Sequence, residues 1–248
     1  MFERANAPKR IVFHRFSRKG QRDLRLAARV CNALLPVTGA ALFAWGCGAA
    51  LALRTPLEEA LPGPVTLLAG FLAFDMLHEC GHMTANCACG CPVEEIGLLL
   101  EPDMAFYVRN DSGPIVSARG RRQYLQICLA GIETDLAAIG VLLWSCARTG
   151  SRTCAFFALF NMISVVHNAL PVSGRDGEKA LSALLHVEDV DALAQAVLAS
   201  TARRRALVRQ GIHGRRALRL LWAIRLARLI DLVVQGLGLV SIGILLLG

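Results

Sequence analysis

Five apolar runs determine what this chain of 248 residues can fold into. A helix needs about 20 predominantly apolar residues to cross the hydrocarbon core of a bilayer. Runs of about that length occupy Cys31–Leu53, Pro64–Thr84, Tyr124–Cys146, Cys154–Val172 and Leu229–Gly248. Charged residues make up only 19% of the chain, against about 25% in a soluble domain. The sequence therefore predicts an all-α polytopic membrane protein with about five transmembrane helices.

The charged segments between these runs divide the chain. We predict a basic cytosolic segment over residues 1–30, a membrane domain over 31–172, a basic and amphipathic cytosolic segment over 173–228, and a C-terminal transmembrane helix over 229–248. Some thirty residues precede the first run, which is itself long enough to span. We therefore expect a retained membrane anchor and not a cleaved signal peptide.

The basic residues predict the orientation in a cell membrane. Nine Lys or Arg lie among the first thirty residues, and nine Arg lie among residues 201–230. Positive segments stay on the cytoplasmic side, so four spans separate the two segments and the fifth places Gly248 outside. The net charge of +8 suits anionic lipid headgroups, which makes the lipid bilayer the expected partner and excludes nucleic acid.

The second run ends in an HExxH motif, residues 78–82 (HECGH). On a helix, two histidines four residues apart project from one face. His78 and His82 can thus hold two corners of a tetrahedral zinc site, and Glu79 between them is placed to activate a water. The preceding turns, residues 67–74, are apolar. The motif therefore predicts hydrolytic chemistry inside or at the edge of a bilayer.

The end of the fourth run provides a third ligand. The second and fourth runs cross in the same direction in the predicted topology, so both end at the cytosolic face. The chain following the fourth run contains Asp176, which brings a carboxylate to the depth of the two histidines. Two histidines and one carboxylate with one open position are a catalytic zinc set. We expect one zinc per chain, held by His78, His82 and Asp176.

These motifs together resemble the site-2 protease family of intramembrane zinc metalloproteases. HExxH in one transmembrane segment is followed by Asn168-x-x-Pro171-x4-Asp176-Gly177 at the end of another. The resemblance covers about residues 64–177. Residues 90–111 resemble the family's membrane-associated β-hairpin, and residues 129–135 (LAGIETD) resemble a core helix start in its peptide zinc metalloprotease branch. The chain departs from many members at Arg175, where they have an apolar residue, and at Ile132, where they have proline.

The resemblance implies a protease. The expected reaction is hydrolysis of a peptide bond in a small precursor peptide or membrane-tethered substrate, near the cytosolic membrane face. Glu79 would take a proton from the water and pass it to the leaving nitrogen, and Asn168 would hydrogen-bond the extended substrate backbone, which needs partners in a dry site. The alternative is a zinc-binding membrane protein that acts in peptide binding or export. The intact Glu79 favours the protease.

Several polar residues near the motifs have two possible roles. Asp75 shares the helical face of the histidines, so it either orients a ligand imidazole or lines a polar core. Asp135 pairs either with the active-site region or with an arginine, and Glu133 is equally open. The simpler role for Asp176 is that of a turn or cap residue. The simpler role for Asn168 is an interhelical hydrogen bond. For His167, metal ligation is the alternative, and we predict packing or an interface.

Three cysteines alternate at Cys87, Cys89 and Cys91. In an extended segment they would point to one side, which would suit a second metal site or acylation. The simpler expectation is reduced thiols near the cytosolic face. The chain has nine cysteines, an odd number, and a cytosolic position disfavours a disulfide framework.

We predict that the N-terminus and the Arg203–Arg228 region are both cytosolic and that Gly248 is external, because the positive charge is concentrated in the first two segments. Reporter fusions at these positions measure the orientation. An external signal from a fusion at residue 200 would contradict the span count.

Overall fold

The computed structural model describes residues 10–52, 62–91, 93–100, 105–110, 120–172 and 175–185, with shorter stretches at 190, 223–224, 226–233 and 236. The chain divides into two compact units, Met1–Val165 and Val166–Gly248.

The described residues are mostly helical and include a small antiparallel sheet. In chain order the elements are β1 (Arg10–Arg15), α1 (Arg18–Leu51), α2 (Pro64–Cys89), β2 (Val93–Leu99), β3 (Ala105–Asn110), α3 (Arg121–Thr149), α4 (Arg152–Ala169) and α5 (Asp176–Leu185). Residues 226–233 are also helical. The predicted helical class is confirmed, and β2 and β3 pair antiparallel where the hairpin was predicted.

Two helices in the described part of the chain are long and apolar enough to cross a membrane, Lys19–Leu51 and Arg122–Thr149. The first begins well before the apolar run at Cys31, because the Ser17 side chain caps it by accepting from the Gly20 N–H at 3.1 Å. Helix α2 covers the second predicted span but carries Asp75, His78, Glu79 and His82 along its length. Most of the predicted last span lies outside the described residues.

Helix α2 starts and ends at residues suited to those positions. Pro64 occupies the first turn, and Gly90 ends the helix in the left-handed conformation at φ 75°. The last turn contains no basic residue of its own, and α1 supplies the positive charge. Arg29 Nε donates to the Ala88 carbonyl at 3.3 Å, and the Arg25 guanidinium lies over Gly90. Cations at this end of a helix offset its dipole.

Glycines set the packing of α1 against α3. A Cβ at Gly46 would collide with the Gly140 backbone, and one at Gly39 would lie 2.8 Å from the Glu133 carbonyl oxygen. Since the two contacts follow the same order along both helices, α1 and α3 run parallel. The predicted topology requires this direction of the first and third spans. Small residues that let backbones approach closely are typical of helices packed within a membrane.

Much of α1 presents apolar side chains that the described protein does not cover. Large exposed side chains occur along its whole length, at Leu24, Leu26, Val30, Leu34, Val37, Trp45 and Leu51. The Trp45 ring lies 6.1 Å from that of Trp144 on α3, and both are exposed. Soluble monomers rarely expose apolar surface so continuously, whereas a lipid environment solvates it.

The sheet has the order β1-β2-β3, and a buried carboxylate connects its strands. Glu95 on β2 lies 2.9 Å from Arg10 Nη1 and 3.5 Å from Arg15 Nε, both on β1. From β3, Arg109 approaches to 3.7 Å, and the Tyr107 hydroxyl donates at 3.2 Å. Burial, and then the Glu95 carboxylate, raise the pKa of the Tyr107 phenol. Strand β1 was not predicted, because residues 10–15 belong to a segment whose charge suggested only a basic extension.

Candidate metal centre

The HExxH face of α2 packs directly against α3. Gly81 is the contact point, because a Cβ there would collide with the Thr134 hydroxyl and lie 2.5 Å from the Ala130 carbonyl oxygen. Ala130 is fully buried. Glycine inside the motif therefore allows the two helix backbones to approach closely enough for side chains of α2 to bond with α3.

Each motif histidine is oriented by a bond from its Nδ1 to α3. His78 Nδ1 lies 2.7 Å from Asp135 Oδ2, and His82 Nδ1 lies 2.7 Å from the Ile127 carbonyl oxygen. A carbonyl oxygen only accepts, so His82 Nδ1 must be the donor, and the Asp135 carboxylate requires the same of His78. A neutral imidazole with its proton on Nδ1 presents the lone pair of Nε2, which is the form that binds metal.

The two Nε2 atoms converge to 3.1 Å. Two lone pairs at this distance repel each other unless a positive charge, either a shared proton or a cation, lies beside both. Nitrogens held at about 2.0–2.1 Å from a tetrahedral zinc are about 3.3 Å apart. The donor pair therefore fits the ion that the motif predicts.

Glu79 belongs to the same group. The ligand atoms of His78, Glu79 and His82 all lie within 4.8 Å of one another, and this group could hold a metal ion. His78 is buried, whereas Glu79 and His82 are half-buried. The partial exposure leaves a side from which water can reach the nitrogens.

Gly131 on α3 provides the space in front of the two nitrogens. A Cβ at this residue would lie 2.5 Å from His78 Nε2 and 2.6 Å from His82 Nε2. Any side chain would occupy the position where both lone pairs point. The sequence marked Gly131 only through its place in the resemblance, since its distance from the motif histidines depends on the crossing of α2 and α3.

Of the carboxylates predicted near the centre, Asp135 contacts a motif histidine and Asp75 contacts a strand. Asp135 makes the contact with His78 that orienting a ligand requires, although the role itself stays a prediction. Asp75 Oδ2 accepts from the Phe106 backbone N–H at 2.5 Å, so this carboxylate connects α2 to β3. Glu133 is half-buried on α3.

The remaining predicted site residues lie in the second unit. Asp176 is buried, begins α5 and accepts from Lys179 Nζ at 3.3 Å. Asn168 lies in the last turn of α4. The motif histidines belong to the first unit, and ligation by Asp176 and substrate binding by Asn168 stay predictions.

Of the three alternating cysteines, Cys87 faces α1, whereas Cys89 and Cys91 both pack at one small apolar cluster. Cys87 and Cys89 belong to α2, with Cys87 Sγ 3.6 Å from the Gln21 carbonyl oxygen and Cys89 Sγ 3.9 Å from that of Gln123. Cys91 is buried in a small apolar cluster with Ala85, Ile127 and Ala130. Burial raises the pKa of the Cys87 thiol, and Arg25 offsets this in part. These contacts favour reduced, structural thiols.

No family model, curated protein or solved structure matches this chain. The relation of this centre to the site-2 protease family is a proposal.

Gly131→Ala should lower the affinity for zinc by about tenfold or more, the range expected when the surroundings of a metal ligand are disturbed. The new Cβ would fill the space in front of both Nε2 atoms. Zinc content of the purified protein, titrated against a chelator, measures the change. Gly120→Ala is the control, because it begins the same helix and has open space around it. Equal affinity in the two variants would contradict this view of Gly131.

Proposed function

We propose that this protein is an intramembrane zinc metalloprotease of the site-2 protease type, with about five transmembrane helices. It would hydrolyse a peptide bond of a small precursor peptide or a membrane-tethered substrate near the cytosolic membrane face. The observation that carries the proposal is the pair of imidazole Nε2 atoms 3.1 Å apart, beside Glu79, on a helix whose other turns are largely apolar.

Each residue of the proposed site would have a separate role in the reaction. His78 and His82 would bind one zinc through Nε2, and Asp176 would add a carboxylate oxygen. When bound, zinc polarises a water and the substrate carbonyl. Glu79 would accept the proton of that water and donate it to the leaving nitrogen. Asp135 and the Ile127 carbonyl would hold the two imidazoles in the required tautomer.

The position of the centre along α2 supports hydrolysis in the cytosolic half of the bilayer. Arg29 contacts α2 at Ala88, which lies six residues beyond His82 and ten beyond His78. At about 1.5 Å per residue, the histidines are about 9 and 15 Å farther along the helix than this arginine. Half of a hydrocarbon core is about 15 Å. If Arg29 marks the cytosolic boundary, the centre lies within the inner leaflet.

The sheet offers a surface for an extended substrate. Strand β3 is at the edge of the sheet, and its Phe106 N–H points away from β2 towards Asp75 on α2. Because backbone groups alternate in an antiparallel ladder, the Val108 N–H points to the same edge. We propose that an unwound substrate segment pairs with this edge by strand addition, while Asn168 hydrogen-bonds its backbone.

Glu79→Gln should leave zinc bound and abolish cleavage, because Glu79 acts as a base and not as a ligand in this proposal. His78→Ala should lose most of the metal, because one ligand of three is removed. Metal analysis combined with cleavage of a hydrophobic peptide in detergent or liposomes measures both. Glu94→Gln, at an exposed position on β2, is the control carboxylate change. Zinc binding without any Glu79-dependent cleavage would instead support the alternative function, a zinc-binding membrane protein that acts in peptide binding or export.

Val108→Pro should reduce turnover while leaving zinc bound, because proline removes the backbone donor at the β3 edge. Val108→Ala keeps that donor and should retain most of the activity. The ratio of the two rates, with zinc content measured alongside, tests strand addition. Equal turnover in both variants would contradict strand addition. A cut at the external end of the substrate's span would contradict cleavage from the cytosolic side.

A further inference from the structure

We propose that Asp231, near the chain's C-terminal end, is a positioning residue that acts through His167 to hold the start of α5, and therefore Asp176, in place. The effect on Asp176 as a zinc ligand rests on the proposed function. The effect on the α4–α5 connection does not.

Asp231 lies on the buried side of a helix whose other described residues are apolar except for the half-buried Arg228. Its helix buries one stripe at helical spacing, Ile224, Ala227 and Asp231. The exposed side chains around this stripe are apolar, at Leu226, Leu229, Ile230, Leu232 and Val233, and Arg228 is half-buried. A carboxylate on the buried stripe of such a helix is costly unless it is paired, and intramembrane carboxylates are usually functional.

The partner of Asp231 is the last turn of α4. His167 Nε2 lies 2.7 Å from Asp231 Oδ1, and both side chains are largely buried. The contact joins residues 64 positions apart in sequence, 231 minus 167. Asn168, the proposed substrate-binding residue, follows His167 directly. The pair therefore fixes the end of α4, where the Asn168-x-x-Pro171-x4-Asp176-Gly177 element begins.

Asp176 is connected to that same helix end by close backbone packing. A Cβ at Gly177 would lie 2.7 Å from the Leu170 carbonyl oxygen and would collide with the backbone of Ala169. The start of α5 thus rests on the end of α4, which explains why glycine follows Asp176. The Arg175 N–H also donates to the Val172 carbonyl at 3.1 Å. A displacement of His167 would be transmitted to Asp176 through these contacts.

The test uses tryptic cleavage after Arg175, which adjoins Asp176 and is only half-buried. In the full-length metal-free protein, Asp231→Asn should speed this cleavage by about tenfold or more, because loss of a charge-assisted hydrogen bond favours local opening. His167→Gln should have the same effect, and the double variant should add nothing, as expected for residues acting through one bond. Asp23→Asn, at an exposed position on α1, should leave the rate unchanged.

Zinc affinity is the second measurement. Asp231→Asn should bind zinc about tenfold more weakly than the Asp23→Asn control, in the range for residues that support a metal ligand. Unchanged cleavage after Arg175 would overturn the proposal. So would an equal acceleration at every tryptic site, which would make the pair an ordinary packing contact. If wild-type protein binds no zinc while cleavage after Arg175 responds as expected, the proposed function fails and the positioning role stands.

Discussion

The close approach of α2 and α3 is the constraint on which the candidate centre depends. Gly81 allows it from one helix, and Gly131 leaves the space in front of the histidines on the other. Only at this separation can Asp135 and the Ile127 carbonyl reach the two Nδ1 atoms. Those two bonds set the tautomers, and the tautomers direct both Nε2 lone pairs to one point. The geometry of the candidate metal centre therefore depends on two residues without side chains.

Paired carboxylates also connect the strands to one another and the sheet to α2. Glu95 holds three strands together through arginines and Tyr107, and Asp75 fastens the sheet to α2 through the Phe106 N–H. Unpaired, each of these groups would be expensive to bury. Once paired, each fixes a particular register, because a displacement of one residue would leave a buried charge without its partner.

Carboxylate–imidazole pairs occur in both units of the chain. His78 with Asp135 orients a predicted metal ligand directly, whereas His167 with Asp231 holds the helix end that precedes one. Both pairs connect helices that are distant in sequence. In the proposed protease, polar residues of the predicted spans would thus serve the centre either by facing it or by supporting the residues that do.

The sequence by itself determined the helical class and the HExxH motif, and its resemblance to a known family predicted the hairpin after α2. The first two follow from local patterns, since apolar run length and the i, i+4 spacing of His78 and His82 are contained within short segments. Tertiary structure alone decided that β1 joins the sheet, that Gly131 stands in front of both imidazoles, and that Asp75 bonds to a strand. Asp135 was one of several carboxylates on predicted spans, and only the crossing of α2 and α3 selected it as the partner of His78. Such contacts depend on the separation and rotation of helices, which the packing of glycines sets and which no pattern within a single helix records.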